Sequence, residues 1–276
     1  MLRTRIITAT VLALGFLTIL FTVSHDIWCF LTLLATLIAL WEWSNLIQLN
    51  RPQTVVLLSL GGLAGFVLSA TNGYAYNLLA QEVLVGSALL FWLVVAPRWL
   101  LTRQPCQNRF MLSLLGLLLM LALWVAIIGL HLKGALILLA VLATVWLADS
   151  AAYFAGKRFG KRKLAPEISP GKTWEGVVGA FVGVAIYGAV LCQLFGYHLW
   201  LIALLFVMVA LSVMGDLIES LLKRVAGVKD SSQLLPGHGG VLDRIDGILP
   251  ALVFAMAWVM LSHYFPVMNS WIKISS

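Results

Sequence analysis

The chain is short of charge, and shortest of acid. Of its 276 residues only 11 are Asp or Glu and 18 are Lys or Arg, so 11% are charged, where an ordinary soluble domain carries about a quarter. A water-facing globular surface cannot be assembled from so few polar groups. Cysteine is scarce as well. Cys29, Cys106 and Cys192 stand far apart in apolar surroundings, which excludes a disulfide framework and any zinc-ligand spacing. Tandem repeats, low-complexity tracts and a separate soluble domain are also missing.

What is present in excess is hydrocarbon: 62% of the residues are hydrophobic, in long unbroken runs such as "MLSLLGLLLMLALWVAIIGL". About 20 apolar residues at 1.5 Å each cross a bilayer core. In lipid the backbone must satisfy its own hydrogen bonds, which leaves helices or closed barrels. The runs are continuous where barrel strands would alternate, so the fold class is all-α, a polytopic integral membrane protein. Nine spans are expected, near residues 6–23, 27–47, 55–70, 78–96, 110–130, 135–153, 177–195, 199–217 and 247–263. The first follows the basic start "MLRTR" but is too long for a signal peptide and lacks a small-x-small cleavage site, so it reads as an uncleaved anchor.

Basic residues cluster on the cytoplasmic side of membrane helices. With the N-terminus cytoplasmic and nine crossings, 16 of the 18 Lys and Arg fall in cytoplasmic segments, and only Lys133 and Lys273 fall outside. The expectation is therefore N-terminus in, C-terminus out. The net charge of +7 follows that topology, which argues against nucleic acid and for anionic lipid head groups as its counterpart.

Polarity is distributed unevenly. Residues 1–148 hold three acids, Asp26, Glu42 and Glu82, whereas eight of the 11 lie between Asp149 and Asp246. We therefore divide the chain into an N-terminal helix bundle acting as scaffold, 1–148, and a C-terminal catalytic region, 149–276, with cytoplasmic loops at 154–176 and 218–246. Glu42, in "LWEWSN", is flanked by tryptophans that suggest the interface belt, where an acid costs little.

Four stretches carry candidate chemistry. In "GDLIESLLKR", Asp216, Glu219, Ser220 and Lys223 share one helical face at the end of an apolar run, which suits the wall of a wet cavity or a solvated helix end. In "PGHGGVLDRID" the glycines let the backbone turn and approach an anion, while Asp243 and Asp246 are spaced i, i+3 at a helix start. With Asp216 they give three carboxylates able to converge at one depth, the oxygen ligands Mg²⁺ takes. His238 either satisfies that turn or contacts substrate. In "GKRFGKRKLAPEISPGKTWEG" the Gly171-Lys172-Thr173 fragment is no P-loop, because Pro166 occupies the position that needs glycine. Ser169, Lys172 and Thr173 nonetheless precede a helix beginning near Trp174, an arrangement that favours anions. Asp149 ends the sixth span as a site acid or a cap. Gly176, Gly179 and Gly183 form a small-residue packing face, within or between protomers.

The stretch "SLLKRVAGVKDSSQLLPGHGGVLDRID" resembles the signature of phosphatidate cytidylyltransferases, also called CDP-diglyceride synthases, and "ADSAAYFAGKRFGKRKLAPEISPGKTWEG" is similar to a second region of that family. Together these cover about Asp149 to Gly247; the N-terminal half matches by hydropathy and "WEW". The resemblance implies transfer of CMP from CTP to phosphatidate with release of pyrophosphate and use of Mg²⁺, in a multi-pass protein of the bacterial cytoplasmic (inner) membrane, with a homodimer plausible from the family and the glycine face. It assigns Asp216, Asp243 and Asp246 to the metal and Lys223, Arg224, Lys229 and Arg244 to the phosphates. Ser169, Lys172 and Thr173 would take the second anion, with Asp149, Asp230 and His238 as further substrate contacts.

Three other readings share features with this one. "DRIDG" matches the start of the CDP-alcohol phosphotransferase motif, but Pro250-Ala251 stands where Ala-Arg should, and no acid follows Asp246. A CTP-dependent lipid kinase acting on a polyprenol-type alcohol would share nucleotide and membrane. A transporter would place its charges at the bilayer midplane in inverted repeats, and neither feature is found.

Overall fold

The computed structural model describes residues 13–70, 78–234 and 239–265. Helix α1 (Ala13–Thr22) is followed by α2 (His25–Leu46), α3 (Arg51–Ala70), α4 (Leu78–Leu90), a π turn (Phe91–Val95) and α5 (Ala96–Thr102). Then come α6 (Arg109–Lys133), α7 (Ala135–Phe159), strands β1 (Lys163–Ala165) and β2 (Ser169–Thr173), α8 (Trp174–Phe195), α9 (Trp200–Ala226), α10 (Leu242–Ile245) and α11 (Ile248–Tyr264). The π turn sits just before Pro97, whose missing N–H and bulky ring prevent a regular α turn there.

Seven helical segments among the described residues are long and apolar enough to cross a membrane; α1 and α11 are apolar but shorter. Each expected span thus has a helix at its place, although residues of the first lie partly outside the described set. Two expected loops are more ordered than the composition suggests. The segment 154–176 begins as six further residues of α7 and then folds into an antiparallel hairpin, pairing Lys163 with Thr173 and Ala165 with Ser169. The segment 218–246 begins as the last turns of α9, whose C-cap is Gly227 at φ 73°, a left-handed conformation that glycine adopts freely.

Helices α6, α9 and α11 form the core. Ala251, Leu252 and Val253 of α11 are fully buried, as are Met120 and Ala122 of α6. Trp43 of α2 donates its indole N–H to the Leu112 carbonyl at 2.9 Å and packs against Gly116, where any side chain would overlap the ring. Trp43 is 4% exposed and faces inward, whereas Trp41 of the same "WEW" segment is exposed.

The glycine face of α8 is taken up within the chain. Gly176, Gly179 and Gly183 pack on Ala151, Ala152 and Ala155 of α7, and a Cβ at position 179 would collide with the Ala155 methyl and meet the Ala151 carbonyl at 3.0 Å. Gly179→Leu should therefore destabilise the pair by about 1–3 kcal/mol through overpacking. A thermal melt in detergent checks this; an unchanged midpoint would mean that α7 and α8 are not in such close contact.

Candidate active site

The sequence scatters its polar residues over about a hundred positions; the fold gathers them into two adjoining clusters drawn from α7, β2, α9 and the α10 segment that leads into α11. What joins α9 to α11 is glycine. A Cβ at Gly215 would overlap the Asp246 carbonyl and stand 2.8 Å from Pro250, and one at Gly247 would stand 2.6 Å from the Ser212 hydroxyl. Without side chains there, Asp216 and Asp246 are brought into the same electrostatic neighbourhood.

The first cluster is open. Lys172 from β2 forms an ion pair with Asp216. Asp149, ten residues before the end of α7, lies within electrostatic reach of Asp216, Lys172 and Arg244. Asp246 accepts the Gly247 N–H at 2.8 Å. Burial, and then the adjacent Asp216 carboxylate, push the Asp246 carboxyl above its ordinary range. Two carboxylates held close against their own repulsion, with Lys172 and Arg244 beside them, form a site that favours an added cation.

The second cluster is closed and built around Asp243. Its carboxylate accepts from Lys223 Nζ at 2.6 Å, the Ser231 N–H at 3.0 Å, the Ser231 hydroxyl at 2.9 Å and the Gly240 N–H at 2.8 Å. Burial alone would raise this carboxyl, but the donors, Lys223 first, outweigh it and bring it down to about 2. Lys223 also pairs with Glu219 one turn earlier on α9. The polar stripe Asp216, Glu219, Lys223 is thus divided: its first member faces the open cluster and the other two are buried.

Glu42 is the residue that sequence reasoning placed in the wrong surroundings. It is fully buried, not at an exposed belt, and reaches from α2 into the second cluster. Its carboxyl accepts from the Ser232 hydroxyl at 2.6 Å, the Ser231 hydroxyl at 3.2 Å, the Val241 N–H at 2.9 Å and the Leu242 N–H at 2.6 Å. It thereby caps the start of α10, whose first N–H groups have no partner within the helix. The tandem glycines follow from this geometry. A Cβ at Gly240 would meet Glu42 Oε1 at 2.6 Å and overlap the Ser231 hydroxyl, while Gly239 sits at φ 80° with Asp243 Oδ2 2.7 Å from where its Cβ would be. The signal available in the sequence was an acid between two tryptophans in a half that holds only two other acids, Asp26 and Glu82. Its partner lies some 190 positions away, beyond any local pattern.

The remaining candidates take supporting places. Thr173 is the N-cap of α8, its hydroxyl accepting from the Gly176 N–H at 3.1 Å, so that side chain is committed to the helix. Ser169 opens β2. Arg224 donates to the Ile168 carbonyl at 3.2 Å, which together with the Lys172–Asp216 pair pins the hairpin to α9. Lys229 and Asp230 are exposed between α9 and α10, and His238 lies outside the described residues.

The expected metal set is only partly assembled. Among the described residues no three His, Cys, Asp or Glu side chains stand together as a ready-made cage. Asp243 differs most from expectation, since both its oxygens are engaged by Lys223, Ser231 and Gly240. Asp216 and Asp246 remain, and two carboxylates suffice for Mg²⁺, which keeps waters and takes further oxygens from bound phosphates. The donor chemistry of the open cluster fits that ion.

The chain is thus a helical protein with several apolar helices long enough to cross a membrane, in which carboxylates and cations from distant positions converge. The chain belongs to the cytidylyltransferase family, whose model matches residues 3–262. Similar proteins include the phosphatidate cytidylyltransferase of Haemophilus influenzae, 36% identical over 92% of this chain and 97% of its own length. That of Pseudomonas aeruginosa is 38% identical over 94% and 99%. The Bacillus subtilis protein of the same name is 46% identical over 41% of this chain.

Proposed function

We propose that this protein joins CTP and phosphatidate, giving CDP-diacylglycerol and pyrophosphate. The observation that carries the reading is the open cluster of Asp149, Asp216 and Asp246 faced by Lys172 and Arg244, in a chain alike over almost its whole length to phosphatidate cytidylyltransferases. The attacking group is a phosphate monoester oxygen, largely ionised near neutral pH because a second phosphate pKa lies near 6. It forms a bond to the α-phosphorus of CTP as the bond to the β-phosphate oxygen breaks, and pyrophosphate leaves with that electron pair. No strong base is required of the protein. Its task is to hold two polyanions in line and to neutralise charge as it shifts toward the leaving group.

Lys172 and Arg244 would supply that neutralisation from the chain itself. Asp216 and Asp246 would hold Mg²⁺, which when bound clamps phosphate oxygens and offsets their charge. Asp243, with Lys223, Ser231 and Glu42, fixes α10 so that Arg244 and Asp246 face the cluster. We place the site at the cytoplasmic interface of a bacterial inner membrane, with nine crossings and the N-terminus inside, as the charge distribution supports. Because the glycine face of α8 is used within the chain, a homodimer would form through another surface.

The test is product analysis with purified protein, dioleoyl phosphatidate, Mg²⁺ and CTP labelled at either the α or the γ phosphate. Label from the α position is expected in the lipid, with pyrophosphate released. Label moving only from the γ position would instead establish a lipid kinase.

A further inference from the structure

Between α1, α2, α6, α7 and α11 lies a cavity of about 410 Å³. Its wall includes Phe16, Trp28, Leu142, Ile248 and Leu252, and it is closed at one end by Val241, Arg244 and Ile245 of the α10 segment. The hydroxyls that line it are spent on their own helix: Thr32 donates to the Trp28 carbonyl at 2.7 Å and Thr36 to that of Thr32 at 2.8 Å. Apart from Arg244 and the Trp28 indole N–H the lining is therefore mainly hydrocarbon, and a space of this character takes apolar matter. Along α2 the lining runs from Thr36 back to Trp28, about 12 Å at 1.5 Å per residue, close to the roughly 15 Å of one leaflet's hydrocarbon.

Among the described residues Arg244 is the one charged residue that lines this cavity, and it also lies within electrostatic reach of Asp149 in the open cluster. A ligand with an anionic head at Arg244 and a hydrocarbon tail would thus occupy both spaces at once. The helices that form the wall belong mainly to the N-terminal half. Phe16 of α1 and Trp146 of α7 meet edge to face, ring centres 6.0 Å apart, and complete the wall where Trp146 is partly exposed to the surroundings.

We propose that this cavity is the acyl-chain site of the enzyme: it takes one chain of the phosphatidate whose phosphate lies against Arg244. The assignment rests on the phosphatidate reading above. It makes chain length a property recognised by α2 and α11, away from the reacting phosphates.

The experiment is a chain-length comparison. Ala35 lines the cavity and belongs to neither polar cluster, so Ala35→Phe fills the space without touching the chemistry. Wild type and variant are assayed in one mixed-micelle system with dioctanoyl and dioleoyl phosphatidate. Wild type is expected to turn over both; Ala35→Phe should lose at least tenfold in kcat/KM on dioleoyl phosphatidate, mainly through KM, and less than threefold on the short-chain substrate. Ala35→Leu provides the same comparison with a smaller effect should the Phe variant not fold. Equal change on both substrates in a protein with an unaltered melting midpoint, or no change on either, overturns the site. So does native mass spectrometry showing a tightly held non-substrate lipid lost from the variant while the chain-length profile stays unchanged. Failure of the underlying activity reading is separate, since wild type would then transfer no α-label to either lipid.

Discussion

Asp246→Asn should lower turnover by at least about 100-fold, the scale of losing one preorganised electrostatic group, while leaving the protein as stable as wild type or more so. The two halves of this expectation come from one geometry. Gly215 and Gly247 let the backbone before α11 approach α9 closely, and burial together with the Asp216 charge raises the Asp246 carboxyl. A carboxylate in such a place is held there at the expense of stability, a trade that occurs where function requires it. Asparagine keeps an acceptor for the Gly247 N–H at the same position and removes the repulsion. The α-label assay and a melting curve on the same preparation check both halves. Turnover within tenfold of wild type would remove Asp246 from the metal assignment, and a large fall in the melting midpoint would show its role to be structural.

Glu42→Ala should have the largest effect on stability. Ser231 would keep Asp243 as a partner, but the Ser232 hydroxyl and the Val241 and Leu242 N–H groups would lose their acceptor inside the protein. At about 1–3 kcal/mol for each of the three stranded donors, the loss is on the order of 3–9 kcal/mol. Activity should fall with it, because the cap that fixes α10 also fixes Arg244 and Asp246. Glu42→Gln is expected to lie between: its carbonyl oxygen can still accept from one pair of donors, while its amide N–H groups oppose the other pair. Hydrogen exchange over residues 239–246 separates local from global effects. Faster exchange there in a Glu42→Gln protein with a near-normal midpoint is the expected result. Unchanged exchange in both variants would show that Glu42 does not hold this segment.

The division of the molecule into scaffold and catalytic region needs restating in these terms. The N-terminal helices bury the apolar face of α11 through α6, and through Glu42 of α2 they hold the segment that carries Asp243 and Asp246. An acid in a bundle of this kind is costly unless satisfied, and the four donors around Glu42 are how this one is accommodated.

The sequence by itself determined the helical membrane class, because a 62% hydrophobic chain with so few charges has only that way to satisfy its backbone in lipid. It also singled out the candidates for chemistry, since polar groups in such a chain are rare enough to stand out one by one. Family membership was legible for the same reason, in the run from Ser220 to Asp246. Contacts between distant positions were not legible. Whether Asp243 faces a ligand or Lys223, whether Thr173 offers its hydroxyl or caps α8, and where Glu42 points depend on how α2, α8, α9 and α11 pack. Helical periodicity assigns a side chain to a face but leaves the neighbour of that face open. The tertiary structure decided those neighbours through close approaches at Gly116, Gly179, Gly215 and Gly240, where the lack of a side chain lets two segments meet and sets which carboxylates remain open.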